Sequence, residues 1–307
     1  MRLDEPLLRL PITFDAGELA AEVAALPERA WVAHPNRHPG NAAVRLVTTN
    51  GAATDDTATP MAPTGQLAAL PGVRRAMAAI GATWGRSRLM RLAPGAVVPV
   101  HIDTNFYWRT HIRLHVPITT TPEVLFTVSE QTVHMAAGEC WAFDTFANHH
   151  VRNGGPVSRV HLVLDTVGGE GLHELIAAAR AGAVAPSSPA PDSGAPLVFE
   201  WTDGGAVMSP WELQYHLAFI AERAEPGERL GPVLQRLDRF AAAWAGAWAQ
   251  FGQSPAAAYR TLIAGLEADL PRLEGQRLRL RNQLPLYRQV AELVFVLNTA
   301  LTRVDGG

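Results

Sequence analysis

Lysine is missing from this sequence: all 26 basic residues are arginine. Schiff-base chemistry on a lysine amine is therefore excluded. Every cation on offer is instead a permanently charged planar fork, suited to gripping carboxylates through two parallel hydrogen bonds. Cysteine is nearly absent too. The single Cys140 rules out an intramolecular disulfide and a thiolate zinc cage, and reads as a small strand-interior hydrophobe in a reducing compartment. No apolar run approaches the roughly 20 residues that cross a bilayer. The start Met1-Arg2-Leu3-Asp4-Glu5 lacks the basic-then-apolar pattern of a secretion signal. A cytoplasmic protein without a membrane partner is expected. Positive charge is not in excess either: a formal net charge of −3 supplies no broad attraction to nucleic acid, which is not expected as a partner.

Apolar material, by contrast, is ample. Hydrophobic residues make up 48% and charged residues 18% of the chain, enough for packed cores and too little charge for a disordered one. At 307 residues, one large catalytic unit with a smaller appendage is expected. Residues 7–14 read as a strand, followed by a helix capped by Asp15 with Glu18 three residues on. Gly51 to Gly65 is poor in bulky residues and reads as a loop or lid. From Ser87 to Thr166 the pattern becomes one of short strands. The runs are Arg88–Leu92, Val97–Asp103, Thr110–Ile118, Val124–Val128, Gln131–His134, Glu139–Phe143, His149–Arg152 and Arg159–Thr166, separated by turn residues. Such regular spacing suggests a jelly roll.

A helix should run from Gly169 to about Arg180, then a Pro/Ser/Ala linker from Ala183 to Pro196. Beyond it the signals are helical. Ser209-Pro210-Trp211-Glu212 combines an N-cap, an N1 proline and an N3 glutamate, and Ser254-Pro255 repeats the first two. Leu234, Leu237, Trp244 and Trp248 share one helical face. The expected fold class is α+β: a double-stranded β-helix (cupin-like jelly roll) over residues 1–170 with flanking N-terminal helices. Residues 171–196 form a helix and linker, and a helical bundle over 197–307 serves oligomerisation, such as a homodimer, or substrate recruitment.

The chemistry concentrates in His101-Ile102-Asp103. Alternate side chains of a strand share a face, so both can reach one metal ion. His149 from a neighbouring strand completes two imidazoles and a carboxylate, with the opposite coordination positions open, as non-haem iron(II) needs for a cosubstrate and dioxygen. A His-x-Asp tripeptide alone is weak evidence; its place on strands raises its weight. Alternation also puts Arg113 and His115, with His111, on one face of their strand, and Arg159 and His161 on one face of another. A half-exposed sheet would show the same pattern. Two strands that both carry Arg and His two residues apart also fit a lumen that binds a dicarboxylate.

The blocks Arg113-Leu114-His115-Val116-Pro117-Ile118, Gly138-Glu139-Cys140-Trp141-Ala142-Phe143-Asp144, His149-His150-Val151-Arg152-Asn153 and Ser158-Arg159-Val160-His161-Leu162 resemble the aspartyl/asparaginyl β-hydroxylase family. They are also similar to bacterial proline hydroxylases. The resemblance spans about residues 85–168. It implies iron(II) on His101, Asp103 and His149, and 2-oxoglutarate as cosubstrate. The distal carboxylate would sit on Arg159, ten residues after His149. Arg113 and His115 match the Arg-x-His that holds the cosubstrate's other end. The implied reaction consumes dioxygen, releases succinate and carbon dioxide, and hydroxylates an aspartyl, asparaginyl or prolyl unit, free or in a peptide. The presence of Asp103 disfavours halogenation. A non-catalytic metal-binding or sensor module and a related desaturase or epoxidase are the competing readings.

His150 should face away from the metal, and His134, His161 and His173 are expected to be structural. Asp144 is expected to brace the turn before His149. The stretch Thr104-Asn105-Phe106-Tyr107-Trp108-Arg109 reads equally as a substrate contact or an aromatic plug.

Overall fold

A computed structural model describes residues 3–35, 38–57, 60–104, 107–186, 190–201, 207–252 and 256–295. The chain divides into two compact units, Met1–Asp103 with Thr110–Thr202, and Thr104–Arg109 with Asp203–Gly307.

The first unit is a jelly roll of two facing sheets. The larger runs Leu7–Thr13, Glu139–Phe143, Ile112–Thr119, Arg159–Gly168, Thr83–Leu92, Asn41–Thr49, Val32–Ala33. Met61–Pro63 adds to Asn41–Thr49, and Val198–Phe199 pairs in parallel with Thr83–Leu92. The smaller sheet runs Val97–His101, His149–Asn153, Val124–Val128, Gln131–Val133. Leu7, Leu92 and Phe143 from the larger sheet meet Val124, Phe126, Val128 and Val151 from the smaller in one apolar cluster. The Phe126 and Phe143 rings stand edge to face, 5.1 Å apart, an arrangement favoured by the ring quadrupoles.

The larger sheet is covered on both faces, so its central strands carry almost unbroken burial. Leu114, Val116, Leu162 and Leu164 are fully buried, and the helix Ala16–Ala24 packs against Ile112–Thr119 through Leu19 and Val23. That helix starts where its capping pattern predicts, with the Glu18 N–H donating to Asp15 Oδ1 at 3.0 Å. Gly138 has φ +81°, and a Cβ there would stand 2.4 Å from the Phe14 carbonyl oxygen. Only glycine fits that turn.

Most strands lie where alternation placed them, Val124–Val128 and Glu139–Phe143 to the residue. The strand Asn41–Thr49 and the helix Pro71–Ile80 lie outside the elements read from the sequence. In Asn41–Thr49 the apolar residues come in runs, Ala42-Ala43-Val44 and Leu46-Val47, which leaves no alternation to detect. The helix Glu170–Arg180 packs on Leu7–Thr13, and Arg180 bonds Asp4 and Glu5. It therefore stays with the jelly roll, and the division falls after Thr202 where 170 and 196 were expected.

The second unit holds helices Pro210–Arg223, Leu230–Phe251, Ala256–Arg272 and Leu286–Val290 among the described residues. The Glu212 N–H donates to the N-cap Ser209 Oγ at 3.2 Å. Ser254-Pro255 lies outside the described residues. The buried stripe of the long helix is Val233, Leu237, Phe240 and Trp244, one position away from the expected Leu234, while Trp248 is half-buried. Trp244 is fully buried, lies tilted against Tyr259 with ring centres 4.6 Å apart, and donates its indole N–H to Met208 O at 2.8 Å.

Residues 104–109 belong to this helical unit. Gln289 Nε2 donates to Thr104 O at 3.2 Å, and the Arg109 guanidinium lies 3.1 Å from the centre of the Phe219 ring. Tyr107 and Arg109 are buried. Of the two readings of this stretch, the structure favours the buried plug, with Asn105 and Phe106 outside the described residues. No helix among the described residues is long and apolar enough to cross a membrane.

Candidate metal centre

Val97–His101 and His149–Asn153 are antiparallel neighbours, and His101 sits directly opposite His149. Directly paired residues project from the same face of a sheet, so register alone brings the two imidazoles together, ring centres 4.1 Å apart. Asp103 arrives differently. The strand ends at His101, and the Asp103 N–H donates to Thr145 O at 3.1 Å. A loop contact, and not alternation along one strand, sets the carboxylate. One ligand atom from each of His101, Asp103 and His149 lies within 4.8 Å of the others, and His101 Nε2 is 3.9 Å from Asp103 Oδ1.

The protonation pattern suits a cation. His101 Nδ1 bonds Pro99 O at 2.8 Å, and His149 Nδ1 bonds Ala147 O at 2.9 Å. A carbonyl can only accept, so each Nδ1 carries a proton, which makes Nε2 the ring nitrogen that could face a metal, as in metal-bound histidines. Burial draws His149 down to about 4, against the pull of Asp103, so the ring is neutral near pH 7. Burial also pushes Asp103 up, but Arg113, the two imidazoles and Arg86 outweigh it and leave the carboxyl below its ordinary range. Asp144 accepts from the Phe146 N–H at 3.0 Å and so braces the turn before His149.

Asp103 is held from behind. Arg113 Nη1 donates to Asp103 Oδ2 at 2.9 Å while its Nε donates to the buried Asp165 Oδ1, also at 2.9 Å. Arg86 approaches the other Asp165 oxygen at 3.7 Å. Asp165, unnoticed in the sequence, shares the strand face of Arg159 and His161 by simple alternation and could have been found that way.

Across the sheet, Asp165 pairs with Arg113 and Val163 with His115, which puts Arg113, His115, Arg159, His161 and Asp165 on one face. Asn153 explains the ten-residue interval between His149 and Arg159. Its side chain donates to Leu92 O, Ala93 O and Val157 O and accepts from Gly155 N, pinning the turn by which the chain crosses from the smaller sheet to the larger.

Arg159 is buried, and its Nε and Nη2 have no hydrogen-bond partner among the described residues. Burial draws this guanidinium down to about 9. A buried cation without a counter-charge is costly, and its fork fits a carboxylate. His115 is fully buried against Phe126 and Phe143, with His161 Nδ1 3.3 Å from its own Nδ1. Burial, then Arg159, Arg113 and His149, hold His115 well below the usual imidazole range. Among the other histidines, His111 pairs with Glu200 at 2.9 Å and His134 with Val124 O at 3.2 Å. Cys140 is buried, which pushes its thiol up to about 12.

Residues 48–168 match the family described as Aspartyl/Asparaginyl beta-hydroxylase. Over this segment the chain is similar to that family. The match supports an enzyme of the 2-oxoglutarate-dependent hydroxylase class. The matched segment covers His101, Asp103, His149, Arg113, His115 and Arg159 and ends with the last long strand of the larger sheet.

Three solved structures are similar at low identity. An oxidoreductase of the 2OG-Fe(II) oxygenase family from Burkholderia pseudomallei is 17% identical over 55% of this chain and 88% of its own, with a TM-score of 0.37. HygX from Streptomyces hygroscopicus, solved with nickel and 2-oxoglutarate bound, is 11% identical over 52% and 82%, with a TM-score of 0.37. A cupin domain from Bordetella pertussis is 20% identical over 26% and 79%, with a TM-score of 0.22. No curated protein matches the chain.

Proposed function

We propose that His101, Asp103 and His149 hold a ferrous ion, and that the enzyme uses 2-oxoglutarate and dioxygen to hydroxylate an unactivated carbon of an aspartyl, asparaginyl or prolyl unit. The observation that carries this reading is the buried guanidinium of Arg159, without a hydrogen-bond partner at Nε and Nη2, on the sheet face that also bears Arg113 and His115. Two lone pairs and a carboxylate alone would suit several divalent ions. A desolvated fork beside them suits a diacid that also reaches the metal.

Dioxygen is the oxidant; when bound, the iron would activate it, and 2-oxoglutarate would serve as the co-reductant that leaves as succinate and carbon dioxide. The chain's own residues do the rest. The Nδ1 bonds to Pro99 and Ala147 fix the tautomers and ring planes of the two imidazoles. Arg113, anchored on Asp165, keeps Asp103 ionised and turned toward them. Arg159 receives the distal carboxylate, and its desolvation strengthens that contact. His115, neutral and wedged between Phe126 and Phe143, offers the near end of the cosubstrate a polar atom in an otherwise apolar wall. That wall keeps water from the reacting centre.

The test is incubation of the full chain with iron(II), 2-oxoglutarate and, in parallel, L-proline, L-aspartate, L-asparagine and short peptides bearing them. The expected result is succinate in step with a product heavier by one oxygen atom. A product lighter by two hydrogens would indicate desaturation. No succinate with any substrate, together with no metal binding that depends on His149, would overturn the proposal.

A further inference from the structure

One group of charges in the jelly roll is left over by this chemistry. Arg45 and Arg88 are paired across two neighbouring strands, and Arg86 lies two residues from Arg88 on the same strand. All three converge on one residue of the Gly51–Thr57 loop, Asp55. Arg45 Nη2 bonds Asp55 Oδ2, Arg86 Nη1 donates to the Asp55 backbone carbonyl at 3.1 Å, and Arg88 Nη1 is 3.8 Å from Asp55 Oδ1. Arg88 is the deepest, with its side chain 6% exposed, while Arg45 and Asp55 are 23% and 22% exposed, so the cluster opens outward through the loop. Arg88 Nη1 also lies 3.4 Å from His34 Nε2, on a ring that burial, Arg88 and other arginines hold neutral, at about 3.

A 3.8 Å pairing and one long hydrogen bond are poor compensation for a buried guanidinium. Burial, with Arg86 and Arg113 nearby, draws Arg88 down to about 9. Arg86 also joins the cluster to the metal centre, through Asp165 and Arg113 to Asp103.

Placement separates this cluster from Arg159. On the strand Arg159–Gly168, Arg159 lies opposite Leu92 and Val163 opposite Arg88. Four residues at about 3.3 Å each put the two cationic ends roughly 13 Å apart. The loop that supplies Asp55 is set on a tight turn, Asn50-Gly51 with φ of 55° and 68°, so it is tethered close to the cluster but not built into a sheet.

We propose that Arg45, Arg86 and Arg88 form the anion-binding end of the substrate site, taking a carboxylate of the substrate, and that Asp55 is an internal stand-in which that carboxylate displaces. The inference rests on reading His101, Asp103 and His149 as the catalytic centre, since that makes the neighbouring cluster a substrate site. The source of the carboxylate is either the α-carboxylate of a free amino acid or the side chain of an aspartyl residue in a peptide. A tethered carboxylate competes at an effective concentration in the millimolar range, so removing its charge should expose the site.

The full chain, with Asp55→Asn, Arg88→Met and the double variant, is titrated calorimetrically with L-proline, which carries only an α-carboxylate, and with N-acetyl-L-aspartate α-amide, which carries only the side-chain one. N-acetyl-L-asparagine α-amide serves as the neutral control. Asp55→Asn should bind one carboxylate probe at least about tenfold more tightly than the unaltered protein, and the double variant should lose that binding. The preferred probe identifies the source. Equal affinity in folded Asp55→Asn and the unaltered protein, or binding that survives Arg88→Met, would overturn the proposal. Should Asp55→Asn fail to fold, the comparison of unaltered protein with Arg88→Met at millimolar probe decides alone: binding lost supports the site, and binding retained or absent in both refutes it. Because no turnover is read, absence of succinate would count against the enzymatic reading and leave this result standing.

Discussion

Replacing Arg159 by methionine separates a ligand-binding arginine from a structural one, because the two roles predict opposite signs for stability. The guanidinium is buried, is drawn down to about 9 by that burial, and has no hydrogen-bond partner at Nε or Nη2 among the described residues. Exchanging an unpaired buried charge for an apolar chain of similar length should stabilise the ligand-free protein by about 1–4 kcal/mol. For a unit of this size each kcal/mol moves the melting temperature by roughly 2–4 °C, so a rise of at least about 2 °C is expected. The same change removes a charge-assisted bidentate contact to a carboxylate, worth about 2–5 kcal/mol, or roughly thirtyfold to a few thousandfold in affinity. Thermal melting of the ligand-free protein and calorimetric titration with 2-oxoglutarate in the presence of zinc measure the two halves separately. Arg159→Lys keeps the charge and loses the fork, and should lie between. A melting temperature that falls while 2-oxoglutarate affinity stays within threefold would refute the reasoning, since it would make Arg159 part of the scaffold.

Other expectations follow from the same geometry. Asp165→Asn unseats Arg113, and through it Asp103, so affinity for zinc or manganese should fall by about 10–100-fold; unchanged metal titration curves would count against the brace. His149, His34 and His216 are drawn by burial to about 4, about 3 and about 4, and His115 and His161 well below the usual range. Groups depressed in the folded state contribute stability that is complete above the unfolded imidazole value, about 6.5, and is lost as pH falls toward the folded values. Each contributes up to about 1.4 kcal/mol per pH unit in that window. The metal-free protein should therefore melt at steeply lower temperature between pH 7 and pH 5, and a flat profile there would contradict the burial of these rings. In the helical unit, Trp244→Ala should cost about 3–5 kcal/mol, seen as a lower urea midpoint, with the metal titration of the jelly roll unaffected.

Period-two alternation and turn residues were enough to read the eight strands between Thr83 and Gly168, since local physics repeats along each of them. The caps at Asp15 and Ser209 were legible for the same reason: a side-chain oxygen meeting an N–H three residues on is a contact within one turn of helix. That His101, Asp103 and His149 could meet was legible as residue types at strand positions, whereas the role expected of Arg159 came from the resemblance to the hydroxylase family. The strand Asn41–Thr49 escaped because its apolar residues come in runs, Ala42-Ala43-Val44 and Leu46-Val47, whereas the more buried Ile112–Thr119 still alternates apolar and polar residue types. The long helix of the second unit was read one position out because Leu234 and Val233 are both apolar, and only packing decides which is buried.

The sequence by itself determined the chemistry on offer: arginine as the sole fixed cation, two histidines and an aspartate at strand positions, and a second Arg-x-His strand. Only the tertiary structure decided which charges meet. It set His101 against His149 through the pairing of distant strands, hung Asp103 on Thr145, and left a guanidinium at Arg159 buried without a hydrogen-bond partner. It also gathered Arg45, Arg86 and Arg88 around Asp55. Sequence patterns report the face on which a side chain lies, but the distance between two charges on different strands depends on register, and register is fixed by the whole sheet packing at once.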